Sequence, residues 1–195
     1  AGGSMMSDHS VEKIGGASMA ATSTLFDNVL IAGRTGEDLY RRIFVVSAYA
    51  GMTDLLLEHK KSGEPGVYAR FARRDSAWRD ALDAVRDAMC ARNAAMFVRT
   101  GSCEQADRFV HDRIEALRAC LNDLDRLRGH GRFSLKDQLV TVREMLAGFG
   151  EAHSAHSTAL LLRDRGVNAL FVDLTVWSED DRVSLDQRIR EALDP

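Results

Sequence analysis

The chain has 195 residues, 45% hydrophobic and 28% charged, a balance that fits one globular domain and argues against disorder. Its apolar runs are only a few residues long, too short for a membrane-spanning helix, and a net charge of -3 gives no support for a nucleic-acid surface. Cys90, Cys103 and Cys120 are an odd number without C-x-x-C spacing, which points away from disulfides or a zinc site and toward a reducing cytoplasm.

Ala1-Gly2-Gly3-Ser4 reads as an expression remnant, with Met5 or Met6 as the expected native start. Val11–Ile14 then predicts a short strand stopped by Gly15-Gly16, and a helix is expected from about Ser18 to Ala32, with Met19, Leu25, Val29 and Leu30 as apolar contacts. Arg42–Val46 is an apolar run suited to a strand covered on both faces. The polar stretch Lys60–Gly66 predicts a loop. Helical spacing follows in Trp78, Leu82, Val85 and Met89; in Phe109, Ile114, Leu117, Leu121 and Leu124; and in Val142, Leu146 and Phe149. Gly129-His130-Gly131 interrupts that run, and Gly166 reads as a helix C-cap before a strand over Ala169–Leu174. The order strand, helix, strand, helices, strand predicts an α/β fold with a mostly parallel sheet, in which residues 66–131 form a helical insertion or added layer.

In open α/β sheets ligands gather at the carboxyl ends of strands. Lys13-Ile14-Gly15-Gly16-Ala17-Ser18 places a lysine, two glycines and a helix start at such an end. Glycine amides approach an anion closely, a helix N-terminus adds partial positive charge, and Lys13 adds a full one. The spacing is not that of a P-loop, and for this segment taken alone a tight turn beside a solvated lysine is the favoured reading. Ser47–Thr53 repeats the design with hydroxyls at Ser47 and Thr53, although Thr53 also reads as a helix cap with Asp54 in the first turn. Glu151 is either a carboxylate aimed into the same cleft or an exposed helix residue. His153 and His156 share a helix face without an evident third metal ligand, so they read as ordinary polar contacts and no metal site is expected.

Taken together, the three segments resemble one family. Lys13–Ser18 resembles the K-F-G-G-T-S signature of aspartokinases, Val45–Leu56 is similar to their V-V-S-A-M-G-G-V-T-D-x-L segment, and Gly150–Ala155 to their G-E-x-x-S-A segment. Val11–Gly16, His59–Tyr68 and Gly150–His156 further resemble the aspartokinases found with ectoine biosynthesis genes. The resemblance implies the N-terminal part of an amino acid kinase domain over residues 6–195, a three-layer α/β/α fold in a cytoplasmic homo-oligomer, with ATP and Mg²⁺ as cofactors and L-aspartate as substrate. It implies that Lys13 is catalytic and that Lys13, Gly15, Gly16 and Ser18 hold the ATP phosphates. Ser47 would lie by the transferring phosphoryl group, with Thr53 and Glu151 holding aspartate and Glu151 facing its ammonium group. Ala17 and Ala50 depart from the pattern, replacing a threonine and a glycine.

A carboxylate nucleophile is ionised at neutral pH and needs no strong base, so the chemistry calls for alignment and charge neutralisation. The family's R-G-G-S-D segment, its carboxylate-gripping arginine and its regulatory domains do not occur in this sequence. The isolated chain is therefore expected to be inactive. Alternatives are a kinase for another amino acid or a carbamate, and a non-catalytic binding or oligomerisation module.

Overall fold

A computed structural model describes residues 9–19, 26–175 and 184–193. The expected remnant and start at residues 1–5 lie outside them. Strand β1 (Ser10–Ile14) pairs in parallel with β2 (Arg42–Val46), Ser10 opposite Arg42 and Ile14 opposite Val46. Parallel strands need a crossover. Among the described residues it contains α1 (Gly16–Met19), a π-helical turn at Phe26–Ile31 and a 3-10 turn at Gly36–Leu39. The α-helix expected from Ser18 to Ala32 is thus not continuous: Phe26–Ile31 is wound as a π-turn, and residues 20–25 are outside the described part. Arg42 ties the crossover to the sheet. Its guanidinium grips both carboxylate oxygens of Glu12 at 2.7 and 2.9 Å, donates to the Leu30 carbonyl and lies 4.5 Å over the Phe44 ring. This fork geometry is what arginine alone supplies, and the bond to Arg42 holds the Glu12 carboxyl below the usual range.

Strand alternation sends Ile14 and Val46 to the core face, whereas Val11 and Val45 are 67% and 51% exposed on the other. The core face packs on helices. After β2 come α2 (Met52–Leu56), α3 (Val67–Ala72), α4 (Trp78–Met96), α5 (Thr100–Gly129) and α6 (Lys136–Asp164), with α7 (Leu185–Leu193) last. A three-residue link makes α4 and α5 antiparallel neighbours. Their buried stripes are those read from the spacing: Trp78, Leu82, Val85 and Met89 against Ile114, Leu117 and Leu121. In α6 the stripe of Val142, Leu146 and Phe149 widens until nearly every residue from Phe149 to Leu162 is buried. A helix apolar or buried all round is a central one, and α6 also touches β2, α2, α3 and α5. It ends in a Schellman motif: Gly166, at φ +80°, donates to the Arg163 carbonyl and Val167 to that of Leu162.

The strand expected at Ala169–Leu174 is not one; among the described residues the sheet has two strands. The segment has a strand's alternation, with Leu170 at 69% and Leu174 at 43% exposure, but side chains anchor it rather than a ladder. Phe171 meets the Phe109 and His156 rings edge-on, and Arg113 of α5 binds the Asp173 carboxylate and donates to the Thr175 hydroxyl at 3.0 Å. A cavity of about 320 Å³ separates it from β2. The architecture is therefore mixed α/β, mostly helical, around a small parallel sheet.

Because Leu117 is fully buried between α5 and its neighbours, Leu117→Ala is expected to cost about 2–5 kcal/mol in urea unfolding, and Val98→Ala, at a fully exposed site, under ~0.5 kcal/mol.

Candidate active site

The two loops at the carboxyl ends of β1 and β2 lie side by side. The Ser47 amide donates to the Ile14 carbonyl at 3.0 Å, extending the ladder by one bond, and a methyl on Gly16 would stand 3.4 Å from the Ala48 carbonyl oxygen. Gly15 opens a turn whose carbonyl accepts from Ser18 and Met19 at 3.0 and 3.2 Å. Lys13 is exposed, paired with Val45 on the sheet face opposite the helices; Gly15 and Ser18 are exposed too. Four residues of the helix begun here are described, and Lys13 and the loop amides are the groups an anion would meet at this strand end.

The second loop turns sharply into α2. Gly51 stands at the N-cap with φ +82°, a conformation that costs any residue with a Cβ, and Thr53 lies inside the helix rather than at its cap. The capping alternative for Thr53 therefore falls away. Thr53 and Ser47 are half-buried. Beneath the loop runs α6. A methyl on Gly150 would come within 3.1 Å of both the Ala48 Cβ and a Leu56 methyl, so the bare glycine is what lets the helix approach this closely. One turn on, the Ser154 hydroxyl donates to the Ser47 carbonyl at 2.7 Å. This pair of contacts puts Glu151, exposed on α6, at the level of the loop. Ser47 is thus tied to α6, Thr53 lies farther on where the loop has entered α2, and Glu151 is on the helix turn that Gly150 and Ser154 anchor. Lys13 is on the neighbouring strand β1 and on the opposite face of the sheet.

The histidines read as polar contacts are more enclosed than the sequence reading specified. His153 is fully buried, its Nε2 2.8 Å from Asn93 Oδ1 and its ring edge-on to Tyr49 at 5.4 Å. His156 stacks on Phe109 at 4.2 Å. Burial first, then the neighbouring His156 and Arg92 charges, hold the His153 imidazole down to about 4; burial and Arg163 do the same to His156. The sign available in the sequence was their flanks, Ala152 and Ala155 with Leu160–Leu162, which mark a buried helix rather than a wet one. Burial likewise pushes the Tyr49 hydroxyl up to about 12, so it stays a donor, here to the Met96 sulfur at 3.4 Å. Among the described residues no three His, Cys, Asp or Glu side chains cluster to hold a metal. A cavity of about 410 Å³ lies on the outer side of the loop, lined by Thr53, His59, Lys60 and Arg143 among others. The cavity beside β2 is lined by none of the predicted site residues.

Parallel strands ending in two glycine-bearing loops against a central helix define the class: a mixed α/β domain, mostly helical, around a small parallel sheet. Over 183 residues the chain is 49% identical to "Aspartate kinase Ask_Ect" of Stutzerimonas stutzeri (strain A1501), a match that takes in 93% of this chain. The chain spans 38% of the length of that relative. It is thus related to aspartate kinases along nearly all of its own length, as the three motifs implied, and corresponds to a part of one. No family model and no solved structure matches the chain.

Two outcomes follow from this geometry. Unfolding returns the buried histidines to the ordinary value near 6.5, so between about pH 4 and 6.5 the unfolded chain binds more protons and stability falls as pH falls. From pH 7 to pH 5 the His153 contribution is about 2 kcal/mol, and urea titrations of His153→Gln should show a correspondingly flatter pH dependence than the parent. An alanine in a helix normally gains ~1 kcal/mol over glycine. Gly150→Ala should fail to show that gain in thermal unfolding, because the methyl meets Ala48 and Leu56.

Proposed function

We propose that this chain is the aspartate-binding part of an aspartate kinase, which transfers the γ-phosphoryl group of ATP to the β-carboxylate of L-aspartate and forms 4-phospho-L-aspartate. The observation that carries the reading is the convergence of three separate segments, at residues 13–18, 47–53 and 150–154, on one end of the sheet. The 49% identity to an aspartate kinase supports the substrate, and that relative's name, Ask_Ect, supports assignment to the ectoine-associated branch.

In this reading a carboxylate oxygen of aspartate attacks the γ-phosphorus while the bond to the β,γ-bridging oxygen breaks and ADP leaves. The nucleophile is already anionic, so the site has no need of a general base. Its work is to hold two anions in line and offset their repulsion. Lys13 and the amides of Gly15 and Gly16, with the Ser18 hydroxyl, take the phosphates. Ser47 stands by the group in transfer. Thr53 orients aspartate, and the Glu151 carboxylate pairs with its ammonium group, which selects an amino acid over a plain dicarboxylate. Magnesium would enter as the companion of ATP, where it would offset phosphate charge. Lys13 would reach the phosphates around the strand end. The remaining binding groups, an arginine for the α-carboxylate among them, are assigned to the part of the kinase this chain does not span, in a three-layer α/β/α domain acting as a homo-oligomer.

The test is aspartyl-hydroxamate formation by the full-length protein with ATP, Mg²⁺ and L-aspartate. Lys13→Ala is expected to lower kcat on the order of 100-fold, as loss of one stabilising cation does. Glu151→Ala should raise the aspartate KM about tenfold or more with a smaller effect on kcat. An unchanged aspartate KM in Glu151→Ala would remove that residue from the site.

A further inference from the structure

Helix α4 carries none of the proposed ligand-binding residues, yet two adjacent side chains on it connect to the loops of the site, Arg92 directly and Asn93 through His153. Asn93 is completely buried. The chemistry of its neighbours sets its orientation: the Asp107 carboxylate only accepts, so the amide nitrogen faces it at 2.8 Å and the amide oxygen faces His153. That oxygen accepts from His153 Nε2 at 2.8 Å and from the Ser157 hydroxyl at 3.3 Å. His153 Nε2 therefore carries the proton, and its Nδ1 is a buried lone pair with no hydrogen-bond partner. The His153 ring in turn abuts Tyr49, the middle of the loop between Ser47 and Thr53. The Tyr49 hydroxyl returns to α4 at Met96, and its ring lies 4.6 Å under the Arg92 guanidinium. Arg92 also donates to the Met19 carbonyl at 2.9 Å, at the end of the glycine turn.

A buried polar cluster is costly unless its members are paired, and an apolar pair would join α4 to α6 as firmly. What the polar version adds is a single geometry, because each hydrogen bond has one direction. Every member between Asn93 and the loop is at most 3% exposed, and close-packed interiors transmit displacement rather than absorb it.

We propose that Asn93 is a positioning residue of the site, holding the Ser47–Thr53 loop in its binding geometry through His153 and Tyr49. The proposal rests on reading that loop as the aspartate-binding side. It gives the helical section a role in a site to which it contributes no ligand-binding residue.

The test uses the full-length protein with three variants: Asn93→Ala, His153→Phe, which keeps a ring against Tyr49 without the bond to Asn93, and Val85→Ala. Val85 is buried on the same helix two turns earlier and serves as the control for general destabilisation. In hydrogen-exchange mass spectrometry, Asn93→Ala and His153→Phe should speed exchange of the 47–53 amides about tenfold while Val85→Ala leaves it unchanged. The aspartate KM should rise about tenfold in the same two variants with kcat within about threefold, and the double variant should be no worse than the singles. Loop exchange equal to the parent, or an equal rise in Val85→Ala, overturns the proposal. So does faster exchange with an unchanged aspartate KM. A parent protein that makes no aspartyl phosphate overturns the reading of the site instead, and the exchange arm alone then decides whether Asn93 holds the loop.

Discussion

The close approach of α6 to the loop after β2 is the constraint on which the rest of the site depends. It needs a residue without a side chain at Gly150, since a methyl there would already crowd Ala48 and Leu56. It also needs a hydrogen bond with one donor and one direction, from the Ser154 hydroxyl to the Ser47 carbonyl. Neither contact is strong: one hydrogen bond contributes about 1 kcal/mol net. Their effect is geometric. They set the distance between a strand-end loop and a helix, and Glu151 stands between the two anchor residues.

The surrounding helices make that geometry stiff. Nearly all of α6 from Phe149 to Leu162 is enclosed, so the helix has no free face along which to shift. The α4–α5 pair closes it from one side through an apolar stripe and a small buried polar cluster. Arg42 does a comparable service for the sheet, gripping Glu12 and the Leu30 carbonyl at once. The outward sheet face is different, with Val11 and Val45 well exposed beside Lys13. In the proposed kinase that face and the phosphate side belong to the larger protein, of whose relative this chain spans 38%.

Much of this was legible in the residues. Helical spacing identified the buried stripes from Trp78 to Met89 and from Ile114 to Leu121, because packing rather than propensity selects them. The ending of α6 was readable at Gly166, where only a positive φ completes the cap. The kinship was readable because three short segments kept both order and character. Other features escaped for physical reasons. Ala169–Leu174 reads as a strand because it is a short apolar run, but such a run reports burial and not a hydrogen-bonded partner; Phe171 and Asp173 supply the anchoring instead. Thr53 resembled a cap because Gly51 had already taken that place. His153 looked polar because type alone does not tell where Asn93, sixty residues earlier in the chain, comes to lie.

The central claim is spatial: aspartate binds where the 47–53 loop meets α6. It is tested most directly by nitrogen–proton correlation spectra of the full-length protein titrated with L-aspartate. The strongest shifts within this chain are expected on residues 47–53 and 150–154, with residues 13–18 responding when a magnesium–nucleotide is added. Shifts concentrated instead on β2 and residues 167–172, around the cavity beside the sheet, would contradict it.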